Sequence, residues 1–460
     1  MIGRKKAISR ILIANRGEIA TRIIHTCNDL GIESVLTVSA ADQNSLPAKL
    51  ATRSICIGPA MARDSYLRPE LIIQAALGSE CNALHPGYGF LSEQPALANL
   101  CAANDIIFIG PRTETIEQMG NKITARAIAQ KCAVPLLPGS DSVEDLSAAK
   151  KVAQKIGFPV LIKAAAGGGG RGMRVVYNPA DLEATLMTTA SEAEAAFGDP
   201  TLFIEKFIKN ARHIEVQILG DASGNVIHLA ERDCSLQRRY QKVIEEAPAI
   251  GVPKAILTNM REAAINIARE VSYLSVGTVE FLYDKATEEF FFLEMNTRLQ
   301  VEHPVTEMIT RIDIVAEQIR INQGGKIDLS KNTPLVKGHA IEARVTAETP
   351  LKNFRPSPGK VTAWRAPKGD GIRVDTYCEK GCLIPPFYDS LVAKIIVHAS
   401  SRIEAIEKLS GALKELVLEG IDTNVEFLLE LLLHESFVSQ NHNTHTIDEI
   451  LANRPNHQLV

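Results

Sequence analysis

From Glu294 to Glu302 the chain alternates: Glu294, Asn296, Arg298, Gln300 and Glu302 are polar, Met295, Leu299 and Val301 lie between them, and only Thr297 breaks the apolar set. In an extended backbone all five polar groups share one face. The stretch directly follows Phe290-Phe291-Phe292-Leu293, which belongs in a core. A fold that accepts this segment needs a sheet whose apolar layer opens at one end onto a dense polar site. A solvated strand face accounts for alternation alone. It does not account for two acids, a base and two amides arriving directly after that apolar run.

The preceding strand-like segment, Thr278-Val279-Glu280-Phe281-Leu282-Tyr283, carries one acid among strand formers. With Lys285 to Glu289 as a five-residue hairpin loop, Glu280 lies opposite Glu294, and Asn296 shares their face. Facing Cβ atoms are about 5 Å apart and like charges there are destabilising, so a cation belongs between them. A few hard oxygen donors suit Mg²⁺ or Mn²⁺, which completes its sphere with water and substrate phosphates.

Earlier in the chain the pattern changes. Residues 10 to 14 read as a buried strand, Asn15-Arg16-Gly17 as a turn, and Ile19 to Leu30 as a helix with Ile19, Ile23, Ile24 and Cys27 on one face. Apolar runs at Ser34 to Val38, Ser54 to Gly58 and Ile106 to Gly110, with helical segments between them, imply βαβ units and a parallel sheet. The first turn has Gly17 alone and no Gly-x-Gly-x-x-Gly, which argues against nicotinamide binding. His85-Pro86-Gly87-Tyr88-Gly89-Phe90-Leu91-Ser92-Glu93 is a turn-rich loop at a strand's carboxyl end, either structural or in contact with a ligand.

Past Asn121-Lys122 and an Ala/Lys-rich helix ending at Ile156, the strand Phe158 to Lys163 leads into Ala164-Ala165-Ala166-Gly167-Gly168-Gly169-Gly170-Arg171-Gly172-Met173, and a second strand, Arg174 to Tyr177, follows. Strands flank this loop and no Lys-Ser or Lys-Thr closes it, so it is not a Walker loop. Four consecutive glycines predict a mobile flap whose N–H groups can cradle phosphates, with Lys163 and Arg171 at its borders. Leu202 to Ile208 reads as an edge strand on which Glu205 and the backbone near Ile208 could meet a purine. His213 to Ile218 alternates as a strand, and Glu231 to Lys242 reads as a cationic loop able to clamp an anion.

The length, 460 residues, allows about three domains. The 50 basic and 54 acidic side chains nearly cancel, so no global field attracts nucleic acid or an anionic membrane, and an anionic substrate must be held by local groups. The eight cysteines show no paired CxxC spacing; Cys378 and Cys382 read as reduced bystanders and the compartment as the cytosol. The basic start (Arg4, Lys5, Lys6) is followed by too short an apolar run for a signal segment, and no stretch approaches the roughly 18 apolar residues of a membrane span.

Asn15-Arg16-Gly17-Glu18-Ile19-Ala20, the His85 to Glu93 loop, the Gly-rich loop, Glu231-Arg232-Asp233-Cys234-Ser235, Glu245-Glu246-Ala247-Pro248, Glu294 to Pro304, Pro356-Ser357-Pro358-Gly359 and Tyr388-Asp389-Ser390 occur in one order. Together they resemble the biotin carboxylase family, the ATP-grasp component of biotin-dependent carboxylases. The resemblance implies an α/β chain in three parts: an N-terminal Rossmann-like parallel-sheet domain (1–117), a central ATP-grasp domain with a mobile Gly-rich lid (118–330, lid 136–207) and a C-terminal α+β domain (331–450), before a tail (451–460). It implies that MgATP activates bicarbonate as carboxyphosphate and that the carboxyl group passes to biotin.

By the same resemblance, Lys122, Lys163, Gly169, Gly170, Glu205, Lys206, Phe207, Ile208, His213, Gln237, Tyr240, Glu280 and Glu294 would bind ATP. Glu280, Glu294 and Asn296 would hold two Mg²⁺ or Mn²⁺ ions. Lys242, Arg298, Gln300 and the Val301 backbone would hold bicarbonate, with Glu302 as general base; Arg344, helped by Arg298, would stabilise the biotin enolate. Tyr240 stands where familiar relatives carry His, Asn121 replaces Asp, Arg311 replaces Gly and Thr52 replaces Asp. No lysine lies between two methionines, so biotin is expected on a separate carrier protein. Carboxyltransferase subunits, a homodimer and a cytoplasmic location complete the expectation, with acetyl-CoA carboxylase of fatty-acid synthesis as the parent. A pyruvate, 2-oxoglutarate or other acyl-CoA carboxylase is the near alternative, and an ATP-grasp carboxylate–amine ligase the distant one.

Overall fold

The apolar runs of the N-terminal region become a five-stranded parallel sheet, β1 (Arg10–Ile13), β2 (Glu33–Val38), β3 (Arg53–Cys56), β4 (Ala83–His85) and β5 (Ile107–Phe108), in the order β3-β2-β1-β4-β5. The structure is a computed structural model that describes residues 7–140, 142–143, 145–165, 172–328 and 335–454. The helix after β1, Gly17–Asp29, buries Ile19, Ile23, Ile24 and Cys27, the face expected from spacing. Gly17 has φ +68°, a left-handed conformation that favours glycine, and so allows the tight strand-to-helix turn. The loop after β4 also uses left-handed glycines, Gly87 and Gly89, to carry Tyr88 and Glu93 over the carboxyl end of the sheet.

A small antiparallel sheet comes next: β6 (Val160–Ala164) lies between β7 (Met173–Val176) and β8 (Leu202–Lys206). Helices Leu146–Ile156 and Leu182–Phe197 give it a core of its own, with Ala149, Val160, Ile162 and Ile204 buried. Strands flank the Gly-rich loop as expected, while Gly169 and Gly170 lie outside the described residues.

The third sheet has eight antiparallel strands. β9 (Ala211–Gly220), β10 (Val226–Arg238), β11 (Gln241–Ala247), β12 (Ser275–Asp284), β13 (Glu289–Asn296) and β14 (His339–Thr346) run in the order β13-β12-β9-β10-β11-β14, continued by Leu391–Ala399 and Ile372–Thr376. Helix Lys254–Glu270 packs an apolar stripe (Leu257, Met260, Ala264, Ile267) against its first part. Helix Arg402–Glu415 covers its far end. The β11–β14 ladder, in which Ile244 faces Ala343 and Glu245 faces Glu342, joins the two parts without a break.

Three sequence expectations need correction. Residues 231–242 form no loop: β10 turns directly into β11 at Arg239 and Tyr240, both with positive φ (49° and 65°), as in a tight hairpin turn. The β12–β13 loop has four residues, since Asp284 pairs with Glu289. A bulge then skips Leu293, so that Phe281 faces Phe292 and Glu280 faces Glu294. The expected pairing thus arises from a shorter loop and one extra strand residue. The polar stripe, finally, is not extended throughout: β13 ends at Asn296, and residues 297–302 turn into helix His303–Thr310, which Pro304 opens.

Candidate active site

The three sheets enclose a cavity of about 840 Å³. Its front wall is built on β12 and β13. Glu280 and Glu294 are held opposite one another, and Asn296 stands two residues further along the same face. Burial, together with the Glu280 charge, raises the Glu294 carboxyl above its ordinary range against the pull of Lys122. Burial also works against the Glu280 carboxylate, but Lys242 and then His213 hold it down, to about 2. Two opposed carboxyls and an amide, with Glu294 repelled by its neighbour, fit a divalent cation by donor type and charge.

Lys242 is the electrostatic centre. From the start of β11 its Nζ reaches Glu215 at 2.5 Å, Glu302 at 2.5 Å and Glu280 at 3.0 Å. Burial opposes its charge, yet these three acids push its pKa well above the ordinary lysine value. Glu302 is shared: its second oxygen accepts from Arg344 Nη2 at 2.9 Å, while Arg344 Nε donates to Glu245 at 2.5 Å. The buried base candidate therefore lies between an ammonium and a guanidinium.

The turn after Asn296 sets Arg298. Its Nε donates to Glu93 at 2.8 Å, Nη1 to Gln300 and Nη2 to Asn296, each at 2.9 Å. Gln300 in turn donates to Glu280 at 3.0 Å, tying the turn back to β12. The Val301 carbonyl accepts from Lys394 at 2.8 Å, which leaves its N–H as the backbone group able to face a ligand.

At the other end of the cavity Lys163 on β6 pairs with Glu205 at 2.6 Å, and Arg126 donates to the same acid. The Glu205 carboxylate is thus committed to two cations. Lys122 begins helix Lys122–Lys131, and Asn121 caps it by accepting from Thr124 N, so the exchange of Asp for Asn keeps the cap. Burial lowers the Lys122 pKa, with Glu294 opposing. His213 Nδ1 meets the Gln237 amide at 3.0 Å and its Nε2 lies 3.2 Å from Glu280. Tyr240, at the hairpin turn, lines the cavity with its phenol partly exposed. Lys206, Phe207 and Ile208 do not: the Lys206 ammonium turns away to the Gly157 carbonyl at 3.0 Å, and Phe207 packs on His445.

Several residues with a part in this geometry have no role assigned from the sequence, although some stand in its motifs: Glu93, Glu215, Arg232, Glu245, Glu342 and Lys394. Glu215 is fully buried between Lys242 and Arg232. A signal existed, since His213, Glu215 and Gln217 alternate with apolar residues just as the Glu294 stripe does. Lys394 had one too, as a lone charge inside the apolar run Leu391–Ala399.

The family model described as "Biotin carboxylase, N-terminal domain" matches residues 7–116, "Carbamoyl-phosphate synthase L chain, ATP binding domain" matches 121–330, and "Biotin carboxylase C-terminal domain" matches 342–449. Biotin carboxylase 1 of Bacillus subtilis is 47% identical over 438 residues, covering 95% of this chain and 97% of that one. The chain belongs to the biotin carboxylase family. A pyruvate carboxylase subunit of Methanothermobacter thermautotrophicus is also 47% identical, over 96% of this chain and 90% of its own. Among solved biotin carboxylases, the β,γ-ATP complex from Campylobacter jejuni matches with a TM-score of 0.94 at 46% identity, over 96% of this chain and 99% of that one. The biotin carboxylase domain dimer of Hydrogenobacter thermophilus 2-oxoglutarate carboxylase, solved with MgADP, ADP and bicarbonate, matches with a TM-score of 0.93 at 42% identity, over 96% and 98%. The mixed α/β architecture expected from the sequence is that of this family.

Proposed function

We propose that this biotin carboxylase, an ATP-dependent ligase, uses MgATP and bicarbonate to carboxylate biotin borne on a carrier protein. The observation that carries the reading is Glu302 held between Lys242 and Arg344, on the same cavity as the opposed pair Glu280 and Glu294. Bicarbonate is a poor electrophile and needs a leaving group, which phosphorylation supplies. A divalent cation on Glu280, Glu294 and Asn296 would offset phosphate charge. Lys122, Lys163, His213, Gln237 and Tyr240 line the nucleotide end, and the β6–β8 unit is its lid. Lys242, Arg298, Gln300 and the Val301 N–H orient bicarbonate, and Glu302 removes its proton. With that proton taken, Arg344 is free of its bond to an anionic Glu302 and meets the negative charge that develops on the biotin ureido oxygen.

The parent enzyme is proposed to be an acetyl-CoA carboxylase acting in fatty-acid synthesis in the cytoplasm, with the chain as a homodimer beside carrier and carboxyltransferase subunits. A pyruvate carboxylase is the second reading, favoured by the equal identity to the Methanothermobacter protein. The domain limits proposed are 1–117, 118–330 and 331–450. The test is bicarbonate-dependent ATP hydrolysis with free biotin. Biotin should stimulate it, and Glu302→Ala should abolish carboxylation while nucleotide still binds. Absence of stimulation would overturn the activity, and near-normal turnover of the variant would remove Glu302 from the base role.

A further inference from the structure

Glu342 lies two residues before Arg344 on β14, and the ladder sets it directly opposite Glu245 on β11. Facing residues bring their Cβ atoms to about 5 Å, with both side chains on one face. Both acids are fully buried. Glu245 gives one oxygen to Arg344; among the described residues its other oxygen has no hydrogen-bond partner, and neither oxygen of Glu342 has one.

The surrounding charges are spent elsewhere. Lys394 Nζ donates to the Val301 carbonyl at 2.8 Å and pairs with Glu18 at 3.1 Å, with Asp375 at 3.7 Å. Arg344 divides itself between Glu245 and Glu302. Two facing carboxylates with no donor between them are not stable in a dry interior; one keeps a proton. Burial is the largest influence on Glu342, and with the Glu245 and Glu302 charges it outweighs Lys394 and raises that carboxyl well above its ordinary value. Burial raises Glu245 too, but Arg344 bonds it directly and opposes the rise, so the proton resides on Glu342.

We propose that Glu342 is a neutral carboxylic acid that donates a hydrogen bond to the free oxygen of Glu245, making it a positioning residue for the Arg344–Glu302 pair. Among the described residues, that Glu245 oxygen is the buried side-chain acceptor on β11 left without a partner, and the acid hydrogen would supply one. Glu245 stays ionised and fixed against Arg344 Nε, and Arg344 cannot swing wholly onto Glu302. The guanidinium therefore stays at the cavity wall in both states of the base. No proton leaves the pair during turnover. The positioning role rests on the functions proposed above for Glu302 and Arg344; the protonation does not.

Infrared difference spectra of the resting protein test the protonation without turnover. The wild type minus E342Q should contain the carbonyl stretch of a protonated carboxylic acid that shifts in D₂O. A difference spectrum without that band overturns the proposal. Kinetics test the positioning. E342A should lower kcat about tenfold or more with KM for ATP unchanged, the size typical of a supporting hydrogen bond, and E342Q, whose amide N–H can donate to Glu245, should recover most of it. An E342Q enzyme as slow as E342A also overturns the proposal. If the acid band is present and no form carboxylates biotin, the pair stands and the functional reading falls.

Discussion

Glu246 shows how strongly a single position can differ from its neighbour. It follows Glu245 on β11 and points to the other side of the sheet, where it accepts from His339 at 2.8 Å and from Arg402 at 2.6 Å. Burial works against its charge, but His339 and Arg402 hold the carboxyl down, to about 2, whereas Glu245 next door is raised. A depressed carboxylate stabilises the fold fully above its unfolded value near 4.5 and loses that contribution as pH falls towards 2. A displacement of that size is worth about 3 kcal/mol. Urea denaturation at decreasing pH should therefore show falling stability over this window, with a shallower fall in Glu246→Gln. An unchanged slope would assign the acid sensitivity to other carboxylates, such as Glu280.

Helix His303–Thr310 ends on Arg311, which sits at φ 60°, ψ 25° in the left-handed region where glycine is the natural cap. An exposed arginine there is strained by about 1–2 kcal/mol, and glycine gives back part of that in the unfolded chain. Arg311→Gly should raise stability by about 0.5–1 kcal/mol, read as a higher thermal midpoint with unchanged turnover; a lower midpoint would show that the side chain contributes more than the strain costs. Elements also show what was legible in the sequence. Helix Gly17–Asp29 and the parallel strands were readable because their apolar periodicity is strong. The β10–β11 hairpin was not, because Glu231, Arg232 and Asp233 are strand residues whose charges are buried in ion pairs with Arg261, Glu215 and Arg212, the reverse of what charge density suggests. The bulge at Leu293 left no local mark, and Glu280 reached Glu294 only because a shorter loop offset it. Residue identities for Lys242, Glu302 and Arg344 were readable through family resemblance, but the sharing of Glu302 between two cations depends on long-range ladders.

The whole molecule sets the five-stranded parallel sheet and the continuous eight-stranded sheet beside a small sheet with its own core. Among the described residues, a single isolated strand bridge, Leu136 to Phe292, links the proposed lid (136–207) to the eight-stranded sheet. Units with few shared contacts open at lower free energy than the global fold. Amide exchange in β6 and β8 should thus outpace that in β9 to β12 and slow on addition of nucleotide. Equal protection of both sheets without nucleotide would rule out independent lid opening.

The seam between β11 and β14 has a further consequence. A chain severed between Asp328 and Leu335 leaves one piece ending at an unpaired β11 edge and the other beginning with an unpaired β14 edge. Exposed edges of this kind seek a strand to complete them, and here each fragment carries the matching register and the apolar residues Ile244 and Ile341 to bury. Co-produced halves should find one another, copurify and recover bicarbonate-dependent turnover, so the molecule can be handled as a self-assembling split enzyme.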